Sequence, residues 1–213
     1  MVDDRAMMWD EVADIGDLVH QLDDGAFDAP SLCPGWAVRD VLGHMGFVHT
    51  ASMISMIRRS AFDRFKLNTF EPSKTLLAGK SVEEIRRFWD GVMIAKHPSK
   101  GIAKIAPARV LLLDHLVHNQ DMRRPTGISR TIPTERLVRA LQEVRREASP
   151  GFNPKRNLIG LRLTASDIGW SAGDGPAVEG SGEAIVMAGA GRAAALEELT
   201  GEGVSILRAR LRL

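Results

Sequence analysis

Apolar residues recur three and four positions apart through the first two thirds of the chain, and that spacing stops near residue 150. A period near 3.6 buries one stripe of an α-helix, so a bundle is the expected architecture there. Trp9, Val12, Ile15, Val19 and Leu22 mark the stripe of a first helix. Pro34 and Gly35 with Trp36 fix the way into a second, Trp36 to about Arg59, carrying Val38, Val41, Leu42, Met45, Val48, Met53 and Ile57. Residues 60–80 have no regular pattern. Ser81 and Glu84 form a capping box that opens a third helix, Val82 to about Ala95. A fourth runs from Ala106 to about Met122, ended by Pro125 and Gly127, and a fifth from Thr134 to Ala148.

SPGFNP at 149–154 reads as a linker, and the texture changes after it. LIGLRLTA at 158–165 alternates like a strand, with Leu161 and Leu163 on one face. GDGP at 173–176 is a turn from which Ala177–Gly180 returns as a short strand. Glu183–Ala190 and Ala193–Leu199 read as short helices, and Val204–Leu213 fits strand or helix equally. The sequence thus divides into a helical bundle over 1–150 and a small α+β domain over 155–213. The smaller part buries too little surface to be strongly stable alone, so it is expected to pack beside the bundle.

The chain's 26% charged residues and 44% hydrophobic residues are ordinary for a globular protein. A formal net charge of +1 provides no bulk field for nucleic acid or an anionic membrane. No apolar run approaches the ~20 residues of a membrane span. The N-terminus MVDDRAMMWDEV is acidic and does not resemble a signal peptide. The single Cys33 rules out an internal disulfide and suits a reducing compartment, so a cytoplasmic protein is expected. Cys33 reads as a small buried hydrophobe rather than a nucleophile. Paired arginines, such as Arg123/Arg124 and Arg145/Arg146, read as solvated helix faces. Asp121, Arg123 and Arg124 read as the salt-bridged end of the fourth helix, with one arginine facing an anionic substrate as the other reading.

His44 lies in GWAVRDVLGHM, and Asp114 and His118 in LLLDHLVHNQDMRRP. The latter two stand four residues apart, on one helical face and about 6 Å apart along the axis. Two imidazoles and a carboxylate can hold a divalent metal and leave positions open for chemistry. Spacing alone does not demand an ion, because Asp-x-x-x-His pairs are common, and His44 joins only if the bundle brings its helix alongside. His115 points about 100° away from Asp114, and His49 lies five residues past His44, so neither shares the face. His20 and His97 read as surface residues.

SLCPGWAVRDVLGHM (31–45) resembles the N-terminal signature of the mycothiol-dependent maleylpyruvate isomerase family, within the DinB-like metalloenzyme superfamily. VHNQDMRRP (117–125) resembles that family's second motif. DIGWSAGDGP (167–176) and GRAAALEELTGEGV (191–204) resemble its C-terminal domain. The resemblance implies a DinB-like bundle of four or five helices, with zinc bound by His44, Asp114 and His118 and mycothiol as thiol cosubstrate. The family usually has Glu where this chain has Asp114. Aspartate is about 1.5 Å shorter, so helix spacing or metal geometry must adjust.

The same resemblance implies an isomerase or S-transferase acting on a small electrophile such as maleylpyruvate. An open metal site deprotonates a coordinated thiol. The thiolate adds to the electrophile and, in an isomerisation, leaves after rotation. Arg192, in the C-terminal motif, is the candidate anchor for a substrate carboxylate, since its fork pairs bidentately; packing between domains is the other reading. A non-catalytic ligand-binding module and a metal-dependent hydrolase on the same site remain alternatives. Expected partners are the electrophile and the thiol, in a monomer or homodimer.

Overall fold

The computed structural model describes residues 3–52, 73–94, 102–148 and 152–211. They form two compact units, Met1–Ser129 and Arg130–Leu213. No described helix is long and apolar enough to cross a membrane.

The first unit is helical. Helix α1 spans Asp4–Gln21, and the Asp3 carboxylate caps its start by accepting from the amides of Arg5 and Ala6. Its expected stripe of Trp9, Val12, Ile15 and Val19 is buried, as is Leu22 just past its end, and Met8 and Leu18 are buried with them. Helix α2 spans Val38–Thr50, and the Asp40 carboxylate accepts from the Ala37 amide at its start, 2.9 Å away. Met53 and Ile57, expected on this helix, lie outside the described residues, as do Arg59 and most of the stretch 60–80.

Helix α3 spans Val82–Ile94 and opens on the capping box read from the sequence. Ser81 Oγ accepts from the Glu84 amide at 3.2 Å, and a Glu84 oxygen accepts from the Ser81 amide at 2.9 Å. A single turn, α4, covers Ile102–Ile105. Helix α5 then runs from Ala108 to Thr126 and passes through Pro125, one turn beyond the expected stop, before Gly127 closes it at φ 71°. Proline withholds one main-chain hydrogen bond from the turn before it, from the Asp121 carbonyl, which accepts from the Leu32 amide instead, and glycine adopts the left-handed conformation without strain.

The second unit begins earlier than the linker-like run suggests. Helix α6, Thr134–Val144, belongs to Arg130–Leu213 rather than to the bundle. Its buried stripe explains this: a Cβ on Gly182 would meet Leu137 at 2.9 Å and Leu141 at 3.3 Å, and one on Gly189 would meet Val144 at 3.2 Å. Helix α6 thus supplies apolar surface that 155–213 lacks by itself. Asn153, in the run expected as linker, caps a short helix α7, Pro154–Leu158, which starts at the last residue of that run.

Strands β1 (Arg162–Ala165), β2 (Trp170–Ala172) and β3 (Ala177–Gly180) form one sheet in the order β2-β1-β3. β1 pairs antiparallel with β2, Leu163 opposite Ala172, and parallel with β3, Leu163 opposite Val178. Helix α8, Gly182–Gly189, is capped by Ser181. Ala193–Glu198 is a 3₁₀ helix rather than an α-helix, and the undecided C-terminal run is a helix, α9, Gly203–Arg210. Gly201, at φ 102°, makes the turn before it; a Cβ there would lie 2.4 Å from the Ala177 carbonyl oxygen. The chain is therefore α+β, with helices in the first unit and a small three-stranded sheet in the second.

Ser81→Ala removes one half of the α3 capping box and is expected to lower unfolding free energy by about 1 kcal/mol. Urea denaturation of wild type and variant, compared at equal m-value, reads this directly.

Candidate metal centre

Four residues of α2 and α5, together with Ser73 and one loop, build the site. On α5, Asp114, His118 and Asp121 follow at intervals of four and three and so share one stripe. On α2, His44 is buried among Val41, Leu42 and Met45. The structure brings these helices together, and the ligating atoms of His44, Asp114 and His118 all lie within 4.8 Å of one another. The His44 and His118 rings stand 5.1 Å apart at 75°, edge to face.

Each imidazole is held from behind. Ser73 Oγ lies 2.8 Å from His44 Nδ1. The Ser73–Leu77 segment can come that close because α2 has Gly43, whose added Cβ would meet the carbonyl oxygens of Ser73 and Lys74 at 3.2 Å. Asp121 Oδ2 lies 2.9 Å from His118 Nδ1 and also accepts from Cys33 Sγ at 3.1 Å. With Nδ1 engaged, His118 turns Nε2 towards Asp114 Oδ1, 3.7 Å away. Buried carboxylate behind a ring nitrogen is the arrangement that orients metal-ligating histidines.

The loop before α2 is tied to the same aspartate. The Leu32 amide donates to the Asp121 main-chain oxygen at 3.0 Å. In an uninterrupted helix that oxygen would accept from residue 125, but Pro125 has no amide hydrogen. The loop's own fold, with Ser31 and Trp36 bonded through main chain and side chain and Gly35 at φ 73°, then sets Cys33 beside His118.

Of the two imidazoles, His118 is the one that holds a second proton. Burial works against charge on His118, but the hydrogen bonds to Asp121 and Cys33 and the charge of Asp114 outweigh it and push the imidazolium up to about 10. Burial, reinforced by the His118 charge, drives His44 down to about 4, so His44 is neutral. Burial alone would raise Asp114; contact with His115 and the charge of His118 hold it well below the usual carboxylate range.

The donors fit a divalent cation. Ligand atoms about 2.1 Å from a tetrahedral zinc stand about 3.4 Å apart, close to the Asp114–His118 separation. Asp114 Oδ1 is the oxygen that faces His118, and Oδ2 is buried with no hydrogen-bond partner among the described residues. Cys33, His118 and Asp121 also converge, but at hydrogen-bond distances, so they read as support for His118.

Several residues differ from their sequence reading. Cys33 is buried but does more than pack: its thiol donates to Asp121. Asp121 is fully buried with its carboxylate against His118, and Arg123, also buried, donates to Asn119 Oδ1 and to the Asp14 carbonyl, each at 2.9 Å. His115 and His49 do lie off the ligand face, yet they meet each other, Nε2 to Nε2 at 2.7 Å. His20 is an exposed partner of Asp90, as expected of a surface residue, and His97 lies outside the described residues. Arg192, in the second unit, donates to the Ala190 carbonyl at 2.8 Å. Ser73 carried no signal in the sequence, being a lone serine in a patternless stretch.

Residues 8–91 match the family model described as the mycothiol maleylpyruvate isomerase N-terminal domain. None of the curated proteins matches the chain. Among solved structures, that of the mycothiol-dependent maleylpyruvate isomerase is similar, with 16% identity and a TM-score of 0.61 over 93% of this chain and 91% of that one. A histidine-to-alanine mutant of such an isomerase is similar with 15% identity, the same TM-score of 0.61 and the same coverage. At these identities the likeness shows a shared fold. The family recognised in the sequence motifs is the one these comparisons return.

A metal needs neutral imidazoles, so zinc uptake is expected to displace the His118 proton and none from His44. Calorimetric titration at pH 7 in buffers of differing ionisation heat should give about one proton released per zinc, with affinity rising about tenfold per pH unit between pH 6 and 8.

Proposed function

We propose that this chain is an enzyme that binds a divalent metal, zinc by preference, through His44, Asp114 and His118. It uses the site to activate the thiol of mycothiol for attack on a small electrophile, with cis–trans isomerisation of a maleylpyruvate-like acid as its reaction. The single observation that carries the reading is the convergence of two imidazoles and one carboxylate within 4.8 Å on two helices. The family match over residues 8–91 supports the choice of thiol and electrophile.

A bound divalent ion supplies Lewis acidity that lowers the pKa of a coordinating thiol from about 8.5 to below neutrality. The protein's own residues do the rest. Asp121 holds His118 by Nδ1 and so fixes which nitrogen faces the ion. Ser73 does the same for His44. Trp36, with its ring 5.6 Å from that of His44, is an apolar neighbour that excludes water on one side. In the reaction, the mycothiol thiolate forms a bond to one alkene carbon and the π pair moves to the neighbouring carbon. Rotation about the new single bond follows, and the pair returns to expel the thiolate with the double bond now trans. Atoms and electrons are conserved, and no oxidant is required.

The central test follows isomerisation of maleylpyruvate by ultraviolet absorbance in zinc-loaded protein, with and without mycothiol. His118→Ala is expected to lose both zinc retention and thiol-dependent turnover, by a factor of at least about 100. Cys33→Ser keeps a donor for Asp121 and should retain most of the turnover. Complete loss in Cys33→Ser with zinc still bound would make Cys33 the nucleophile and overturn the reading; thiol-independent hydrolysis by the wild type would favour a metal hydrolase instead.

A further inference from the structure

Behind Asp114 lies a second pair of histidines that the ligand set leaves unused. His49, on α2, and His115, on α5, are 5% and 0% exposed. Their Nε2 atoms stand 2.7 Å apart, a hydrogen bond between two imidazoles. His115 turns its other nitrogen, Nδ1, to within 3.3 Å of Asp114 Oδ2. Both of those atoms are buried with no other hydrogen-bond partner among the described residues. The rings of His49 and Trp9 stand 5.0 Å apart, which covers the outer end of the pair.

We infer that His115 is a positioning residue for the metal-ligating carboxylate. It donates from Nδ1 to Asp114 Oδ2 and leaves Oδ1 to face the ion, while His49 locks His115 in the tautomer that makes this possible. The inference rests on the proposed metal site and deepens it.

The argument is one of counting hydrogens. A close Nε2–Nε2 contact requires one hydrogen between the rings, so one nitrogen donates and the other accepts. If His115 donated from Nε2, its bare Nδ1 lone pair would face a carboxylate oxygen in a buried setting, two acceptors without a hydrogen between them. That arrangement leaves two buried polar atoms unsatisfied and is costly. The alternative satisfies both. His49 donates from Nε2, His115 accepts at Nε2, and the one remaining His115 hydrogen sits on Nδ1, aimed at Asp114. A slight rotation of the carboxylate completes the bond. Asp114 is then gripped at one oxygen by His115 and presents the other towards His118 Nε2 at 3.7 Å. Each of the three ligands so has its own support: Ser73 for His44, Asp121 for His118 and His115 for Asp114.

Substituted amides separate this role from packing. An asparagine amide nitrogen lies near the position of Nδ1, a glutamine amide near that of Nε2. His115→Asn keeps a donor for Asp114, whereas His115→Gln keeps only a partner for His49. Zinc affinity of the apoprotein, measured by competition with a chromophoric chelator, is expected to fall 10- to 100-fold in His115→Gln and to stay within about threefold of wild type in His115→Asn. His49→Gln, which retains a donor at the Nε2 position, should stay near wild type, and His49→Leu should follow His115→Gln. Thermal unfolding of each apoprotein monitors folding. Should a variant not fold, long-range ¹⁵N–¹H spectra of the wild-type imidazoles still decide: the inference requires hydrogen on His115 Nδ1 and on His49 Nε2. The opposite tautomers, or equal zinc affinity in His115→Gln and His115→Asn, overturn it. A wild-type protein that fails to bind zinc, or a His44→Ala variant that binds it undiminished, overturns the metal site itself, a different result from tight binding indifferent to His115.

Discussion

Asp121 is the residue on which the rest of the site depends, because it is used twice. Its side chain fixes His118 Nδ1 and receives the Cys33 thiol. Its carbonyl oxygen, released by the missing amide of Pro125, receives Leu32 and so anchors the loop that leads into α2. One residue on α5 thus orients a ligand on its own helix and pins the start of the helix that bears His44. The site is assembled by the same contacts that set the helices against each other.

A buried carboxylate needs such company. Leaving an ionised group in an apolar core without partners costs several kcal/mol, and a partly satisfied network is worse than none. The α1–α5 interface meets the same demand elsewhere with Glu11, Asn119 and Arg123: Asn119 donates to Glu11 at 3.0 Å and accepts from Arg123 at 2.9 Å. These groups fix the register of α5 against α1, and with it the direction in which Asp114 and His118 point. Replacing Asn119 by leucine would preserve volume yet leave Glu11 and Arg123 each short of a partner, a larger disturbance than the loss of one hydrogen bond suggests.

The helices were legible because apolar periodicity is a local property, and Val12, Ile15 and Val19 need no distant neighbour to declare a buried face. His44, Asp114 and His118 were legible for a different reason: Asp114 and His118 are one turn apart, and the motif around His44 resembles a known one. What escaped has no local mark. Ser73 reaches His44 across a gap of twenty-nine residues. Asp121 looked like the acidic end of a helix beside two arginines, and only the fold turns it inward. The division between units escaped similarly. SPGFNP has the composition of a linker, but the owner of α6 is decided by which surface Leu137, Leu141 and Val144 meet.

His115 shows how a correct local inference can hide a tertiary one. One residue's offset, about 100° of helical rotation, does remove it from the stripe of Asp114 and His118. The same rotation turns it towards α2, where His49 stands. Two helices that approach closely enough to bring His44 near Asp114 also bring together His115, next to Asp114, and His49, five residues past His44. A hydrophobic pair at those positions would pack as well and would leave Asp114 Oδ2 buried with nothing to answer it. The polar choice therefore makes sense as part of the proposed site, in which each of the three candidate donors has a support of its own.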